Sequence, residues 1–250
     1  MACVPVRRGV LWGAAGHLPG GQGAAALGGR ACSRGGPRGG TGDTGRHRRA
    51  LYRPAGQVPH RLRERHRGDG LQYAGVDITV EEFIDNYLPQ GNAPYTREDG
   101  TLVGADPWKV FLGSPYEESG WGCYAPVITG ALEQLLQDRG LEGLSVQELE
   151  GESLDKLCRE YIDAGTPVLL WATIAMEAPV ESTQFFLEDS GQLFTWLYPL
   201  HCLLLTGEDK DCYYFNDPLE GKNVAYPKEQ VEAAYEGIGM QSVVLEGSVQ

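Results

Sequence analysis

The chain changes character within "RLRERHRGDGLQYAGVDITVEEF", and that break limits what it can fold into more than any motif does. Residues 1–70 hold 13 arginines, no lysine and three acids (Asp43, Glu64, Asp69), a formal charge of +10. The remaining residues hold 8 basic and 31 acidic side chains, or −23. Seventeen of the 35 glycines and four of the five histidines also fall in the first 70 positions. The net charge of −13 therefore averages two unlike segments. The first has neither the apolar content nor the periodicity of a core-forming domain. Residues 71–250 are long enough for one domain with its own core.

A basic, glycine-rich arm ordinarily suggests contact with nucleic acid. This one lacks lysine and is studded with Ala, Leu, Trp and Cys. Arg, Gly, Ala and Pro are the residues of GC-rich codons, so the segment reads like a GC-rich gene translated in the wrong frame. Codon degeneracy allows Pro59 to Asp69 to be respelled, one base over, as P-T-G-C-E-S-V-T-A-V-M. Arg48 to Leu51 can become D-V-P-Y, and Ala55 to Val58 can become Q-G-K-Y. P-T-G-C-E before an apolar run is chemically meaningful, because a thiol at the start of a helix has its pKa lowered by the macrodipole.

From Leu71 onward the pattern is that of an α+β domain whose helices come first and whose sheet, antiparallel, comes second. Thr79 to Glu82 forms a capping box for a helix reaching Tyr87. A loop rich in Gly, Pro and Asp spans 91–122. Pro126 opens a helix through Gln137 with one apolar stripe. A second capping box, Ser145 to Glu148, predicts a helical region running to Ala164, closed by Gly165-Thr166-Pro167. "VLLWATI" from Val168 reads as a strand buried on both faces, followed by "LFTWLY", "HCLLLTG" and "CYYFND". A last short helix, Lys228 to Tyr235, and a closing strand "QSVVLE" complete the reading.

The one histidine after residue 70 is His201, which opens a strand. Sixteen residues later Asn216-Asp217-Pro218 ends the next. A hairpin turn at Glu208 to Lys210 brings both to the same end of the sheet. There Asp217 can accept a hydrogen bond from Nδ1–H of the imidazole and hold Nε2 toward a nucleophile. A lone histidine before an apolar strand also fits a satisfied core position, and Asp-Pro also fits a simple turn. Cys123, just ahead of the Pro126 helix, is a second candidate nucleophile, and it also fits a packing residue at a helix start. Cys158 reads as core. Cys202 and Cys212 lie on strands expected to be neighbours, where they could approach each other. Trp108, Tyr116, Trp121 and Tyr124 are candidate groove-lining aromatics.

Together, "GWGCYAPVITGALE", "PVLLWATIAM", "HCLLLTGEDKDCYYFNDPLEGK" and "AYEGIGMQSVVL" resemble the bacterial papain-like cysteine peptidases of family thirty-nine, relatives of the bacteriocin-processing peptidases. The resemblance covers about Leu71 to Leu245. It implies a papain-like α+β fold and hydrolysis of a peptide or amide bond in a peptide or protein substrate through a Cys-His-Asp triad. His201 and Asp217 match its histidine and aspartate. Its nucleophile, in P-T-G-C-E, and the oxyanion-hole Gln that precedes it are missing, and they are missing where the slid frame supplies both. By that resemblance the motif around Cys123 accompanies the catalytic segment and does not replace it.

Other functions find no support in the sequence. There is no G-x-x-x-x-G-K-[ST] for an ATPase, no Cys/His spacing for a metal and no sign of a cofactor. No apolar run approaches the ~20 residues of a membrane span, and Arg7-Arg8 before a glycine-broken stretch makes a poor signal peptide. The acidic charge of residues 71–250 disfavours nucleic acid.

Overall fold

The computed structural model describes residues 69–117 and 119–249. The expectations placed on residues 1–68, including the wrong-frame segment, lie outside the described residues. Two helices come first, α1 (Asp69–Tyr73) and α2 (Val80–Asn86). Thr79 caps α2 as expected, its hydroxyl accepting the Glu82 amide hydrogen at 3.0 Å. The loop expected over 91–122 carries four short strands at or near it: β1 (Gln90–Gly91), β2 (Tyr95–Thr96), β3 (Leu102–Gly104) and β4 (Phe111–Leu112). Then comes α3 (Ala125–Asp138), which buries Val127, Ile128, Ala131, Leu132, Leu135 and Leu136 along one face. Its first amide, on Ala125, has no intrahelical acceptor and donates instead to Gln241 Oε1 at 3.1 Å.

The next segment corrects the sequence reading. Leu144–Glu150 is a strand, β5, and Ser145 to Glu148 is not a cap. The capping-box spacing is a four-residue signal, and here a full ladder with the C-terminal strand outweighs it, pairing Val146 with Leu245 and Leu144 with Gly247. The helix begins later, as α4 (Leu154–Leu157), with the Ser153 hydroxyl accepting from the Lys156 amide. It continues as a π turn over Cys158–Ile162 and stops at Gly165, whose φ of +88° suits the left-handed end of a helix.

The strands that follow are β6 (Val168–Thr173), β7 (Val180–Leu187), β8 (Leu193–Tyr198), β9 (Leu200–Glu208), β10 (Cys212–Asp217) and β11 (Gly221–Pro227). Helix α5 (Lys228–Gly237) and strand β12 (Gln241–Gly247) close the chain. The main sheet has the order β11-β10-β9-β6-β12-β5, and every neighbouring pair in it is antiparallel. This is the α+β architecture expected. "LFTWLY", however, joins a separate sheet, β2-β3-β7-β8, in which β3 and β7 run parallel. The sequence reading has no strand at β7, because "VESTQFFL" begins with an exposed valine followed by four polar residues, and its buried alternation begins only at Phe185.

Each face of the main sheet is covered, so β6 is buried at all six positions. On one face Leu169, Trp171, Cys202 and Leu204 pack with α1, α2 and α3. On the other Leu170, Ala172, Leu203 and Leu205 pack with α4 and α5. Burying each such Leu or Val is worth about 1.5–3 kcal/mol, and that two-sided burial is why a continuous apolar run was readable as a central strand. Cys202 and Cys212 do lie on paired strands but at opposite ends of the hairpin. Leu204 stands opposite Asn216 and Glu208 opposite Tyr213. At ~3.3 Å per residue the two cysteines are about 20 Å apart, so they cannot bond to each other.

Candidate active site

The β9–β10 hairpin turns through Asp209–Asp211, where the Asp209 amide donates to the Cys212 carbonyl and Asp209 Oδ1 accepts the Asp211 amide hydrogen. The hairpin brings His201, second residue of β9, and Asp217, last residue of β10, together. His201 Nε2 lies 2.9 Å from Asp217 Oδ1, and both side chains are almost wholly withdrawn from solvent, 3 % and 1 % exposed. The nitrogen is the other one from that expected: Nε2, not Nδ1, faces the carboxylate. The imidazole sits at the very start of its strand and points its far edge along the sheet toward β10, leaving Nδ1 as the nitrogen not engaged by Asp217.

Asp217 accepts three hydrogen bonds. Besides His201, the Leu219 amide donates to Oδ1 at 2.8 Å, an Asx turn through Pro218, and the Tyr226 hydroxyl donates to Oδ2 at 2.7 Å. Burial works to raise the pKa of the carboxyl, but the bond and charge of His201, then Tyr226 and the Leu219 amide, outweigh it, and the net shift is downward. An ionised carboxylate only accepts. Nε2 must therefore carry a proton, and in the neutral ring Nδ1 holds the lone pair that can take a proton from a thiol. Tyr226 is pushed upward in pKa by burial, by its bond to Asp217 and by that residue's charge, so it stays a donor.

Cys123 is held elsewhere. Gly122, at φ +120°, turns the chain into the start of α3, and the Cys123 carbonyl accepts the indole N–H of Trp171 at 2.8 Å. Trp171 belongs to the face of the sheet covered by α3. His201 pairs with Ala172, whose side chain belongs to the opposite face, and cross-strand partners share a face. Cys123 and His201 thus lie on opposite sides of the sheet. The thiol is buried, 7 % exposed, and burial pushes its pKa up. Cys158 is buried with a raised pKa too, first through burial, in agreement with a core residue.

The four aromatics do not line one groove. Tyr124 is buried in the core and stacks on Trp108, with centroids 4.3 Å apart. Trp121 packs edge-on against Trp196. Tyr116 is exposed, its hydroxyl donating to Asp85 at 2.6 Å. Only Trp108 opens onto a shallow groove of about 350 Å³, between the end of α2 and the Gly130 side of α3. Among the described residues no cluster of His, Cys, Asp and Glu could hold a metal ion, and no described helix is long and apolar enough to cross a membrane. Tyr226 is the site residue that sequence reasoning missed. Its only signal is its place on a strand that must neighbour β10.

A six-stranded antiparallel sheet between two layers of helices, with an imidazole and a carboxylate paired at its end, defines an α+β domain. The chain belongs to the Peptidase_C39 like family, whose profile matches residues 70–243. It is 28 % identical over 177 residues to the uncharacterized protein YvpB of Bacillus subtilis (strain 168), covering 70 % of this chain and 65 % of that protein. The chain therefore spans somewhat less than two thirds of that relative's length. Its fold is similar to the crystal structure of a protein from Bacillus anthracis described as a C39-like peptidase, with a TM-score of 0.59, 24 % identity, and coverage of 72 % of this chain and 86 % of the other.

Proposed function

We propose that this is a cysteine-peptidase-type domain that hydrolyses a peptide or amide bond through a Cys-His-Asp triad, with His201 as base and Asp217 as its orienting partner. The buried His201–Asp217 pair carries the reading. His201 Nδ1 takes the thiol proton, the thiolate attacks the carbonyl carbon, and backbone and Gln N–H groups receive the charge on oxygen. The leaving amine takes the proton from His201, and water then releases the acyl group from sulfur.

The nucleophile belongs to the segment before Leu71, and residues up to 70 are a wrong-frame rendering of it, so the chain as it stands is catalytically incomplete. Two arguments support this. The respelled cysteine would fall nine residues before Leu71, where the family resemblance puts it. Leu71 packs on the face of the sheet opposite His201, so a thiol from this segment must reach the imidazole around the end of the sheet, where His201 stands as the second residue of β9, whereas Cys123 is fixed at the start of α3. The family match begins at residue 70, where the composition breaks. Cys123 as an alternative nucleophile is disfavoured by its burial and its place across the sheet from the imidazole. A chain without its thiol can still bind peptide, and the groove beside Trp108 is a place for it.

The test is direct. Incubated with a mixed pool of fluorogenic peptides, the chain should give no turnover, and Cys123 should resist iodoacetamide until the protein unfolds. Hydrolysis that ceases as Cys123 is rapidly alkylated would overturn the assignment.

A further inference from the structure

The carboxylate of Asp217 is held from both sides. His201 and the Leu219 amide occupy Oδ1, and the Tyr226 hydroxyl alone among the described groups takes Oδ2, at 2.7 Å. Rotation about the Cβ–Cγ bond of Asp217 would have to break all of these at once. Tyr226 stands on β11 opposite Tyr213, and its ring meets Phe215 edge-on at 6.0 Å. The phenol is thus aimed by packing that belongs to β10 and β11, independently of whatever reaches the imidazole from the other side.

We propose that Tyr226 is a positioning residue of the His201–Asp217 pair, fixing the plane of the carboxylate and drawing part of its charge away from the imidazole. This rests on the peptidase reading for its purpose but not for its test. A donor on Oδ2 competes with the imidazolium for the negative charge of Asp217, so Tyr226 sets how readily His201 holds a second proton. Without it the carboxylate binds the imidazolium more strongly and the ring becomes a more basic, less readily discharged proton carrier. With it, Nε2–H stays directed at Oδ1 and Nδ1 remains the exchanging position.

The experiment is a pH titration of the histidine rings in the full chain by proton–nitrogen NMR, with the His201 signals assigned by their loss in His201→Ala. Tyr226→Phe keeps the ring against Phe215 and removes only the hydroxyl, so a role in packing alone would not move the titration. The expected result is an upward shift of the His201 midpoint by about half a unit or more. Replacing Tyr226 by 3-fluorotyrosine, a stronger donor of the same shape, should shift the midpoint downward, and it serves even if Tyr226→Phe fails to fold. Midpoints within about 0.1 unit of the unsubstituted chain for whichever variants fold would overturn the proposal. Because the titration needs no turnover, a chain that never hydrolyses peptide would defeat the peptidase reading and leave this result standing.

Discussion

Replacing Asp217 by alanine removes the acceptor of three donors at once, and the structure says which of them suffers. Leu219 and Tyr226 are only partly buried and can turn to water, whereas the His201 side chain is 3 % exposed and has no such recourse. A buried donor left without a partner costs about 1–3 kcal/mol, and breaking a buried pair by removing one member costs about 3–5 kcal/mol. A loss of about 4 kcal/mol follows for Asp217→Ala, or roughly 8–16 °C in Tm for a domain of this size. Asp217→Asn keeps a carbonyl oxygen for Nε2–H and turns an amide toward Tyr226, whose hydroxyl can accept as well as donate. It should cost only about 1–2 kcal/mol. Urea unfolding followed by circular dichroism at pH 7 separates the two. Equal losses for both variants, or a loss below about 1 kcal/mol for alanine, would refute the claim that the pair is buried and fully engaged.

Acid should act through the same carboxyl. Its folded pKa lies below the usual 3.8, so its stabilisation is complete above pH 3.8 and is lost as pH falls from there through the lower folded value. Unfolding free energy should therefore drop more steeply below pH 3.8 in the unsubstituted protein than in Asp217→Asn, and parallel curves would contradict the depressed pKa. Nucleotide sequencing of the gene should show that codons 48–70, read one base over, give a D-V-P-Y…P-T-G-C-E-like series with a compensating change near Leu71. Stop codons in both other frames would end that explanation.

Much of the fold was legible because its strongest signals are local. The α3 stripe, the apolar run of β6 and the two-strand span from His201 to Asp217 each depend on spacing within one element or one hairpin. What failed depends on distant partners. β5 carries a capping-box pattern and becomes a strand only because β12 lies beside it. β2, β3, β7 and β8 form a sheet from segments some 80 residues apart, which no periodicity announces. The pairing of His201 with Asp217 could be read from the hairpin, but which ring nitrogen meets the carboxylate depends on where a strand-end side chain points. Tyr226 shows the same limit, since a tyrosine on a short polar strand looks like any other until its hydroxyl is found on Asp217.

The central claim is that His201 and Asp217 await a thiol supplied from before Leu71. It is tested most directly by replacing residues 48–70 with the one-base-shifted reading that contains P-T-G-C-E and measuring peptide hydrolysis. Turnover is expected in the repaired chain, abolished by iodoacetamide and by His201→Ala, and none in the chain as it stands. A well-folded repaired chain without turnover, or hydrolysis that survives loss of His201, would contradict it.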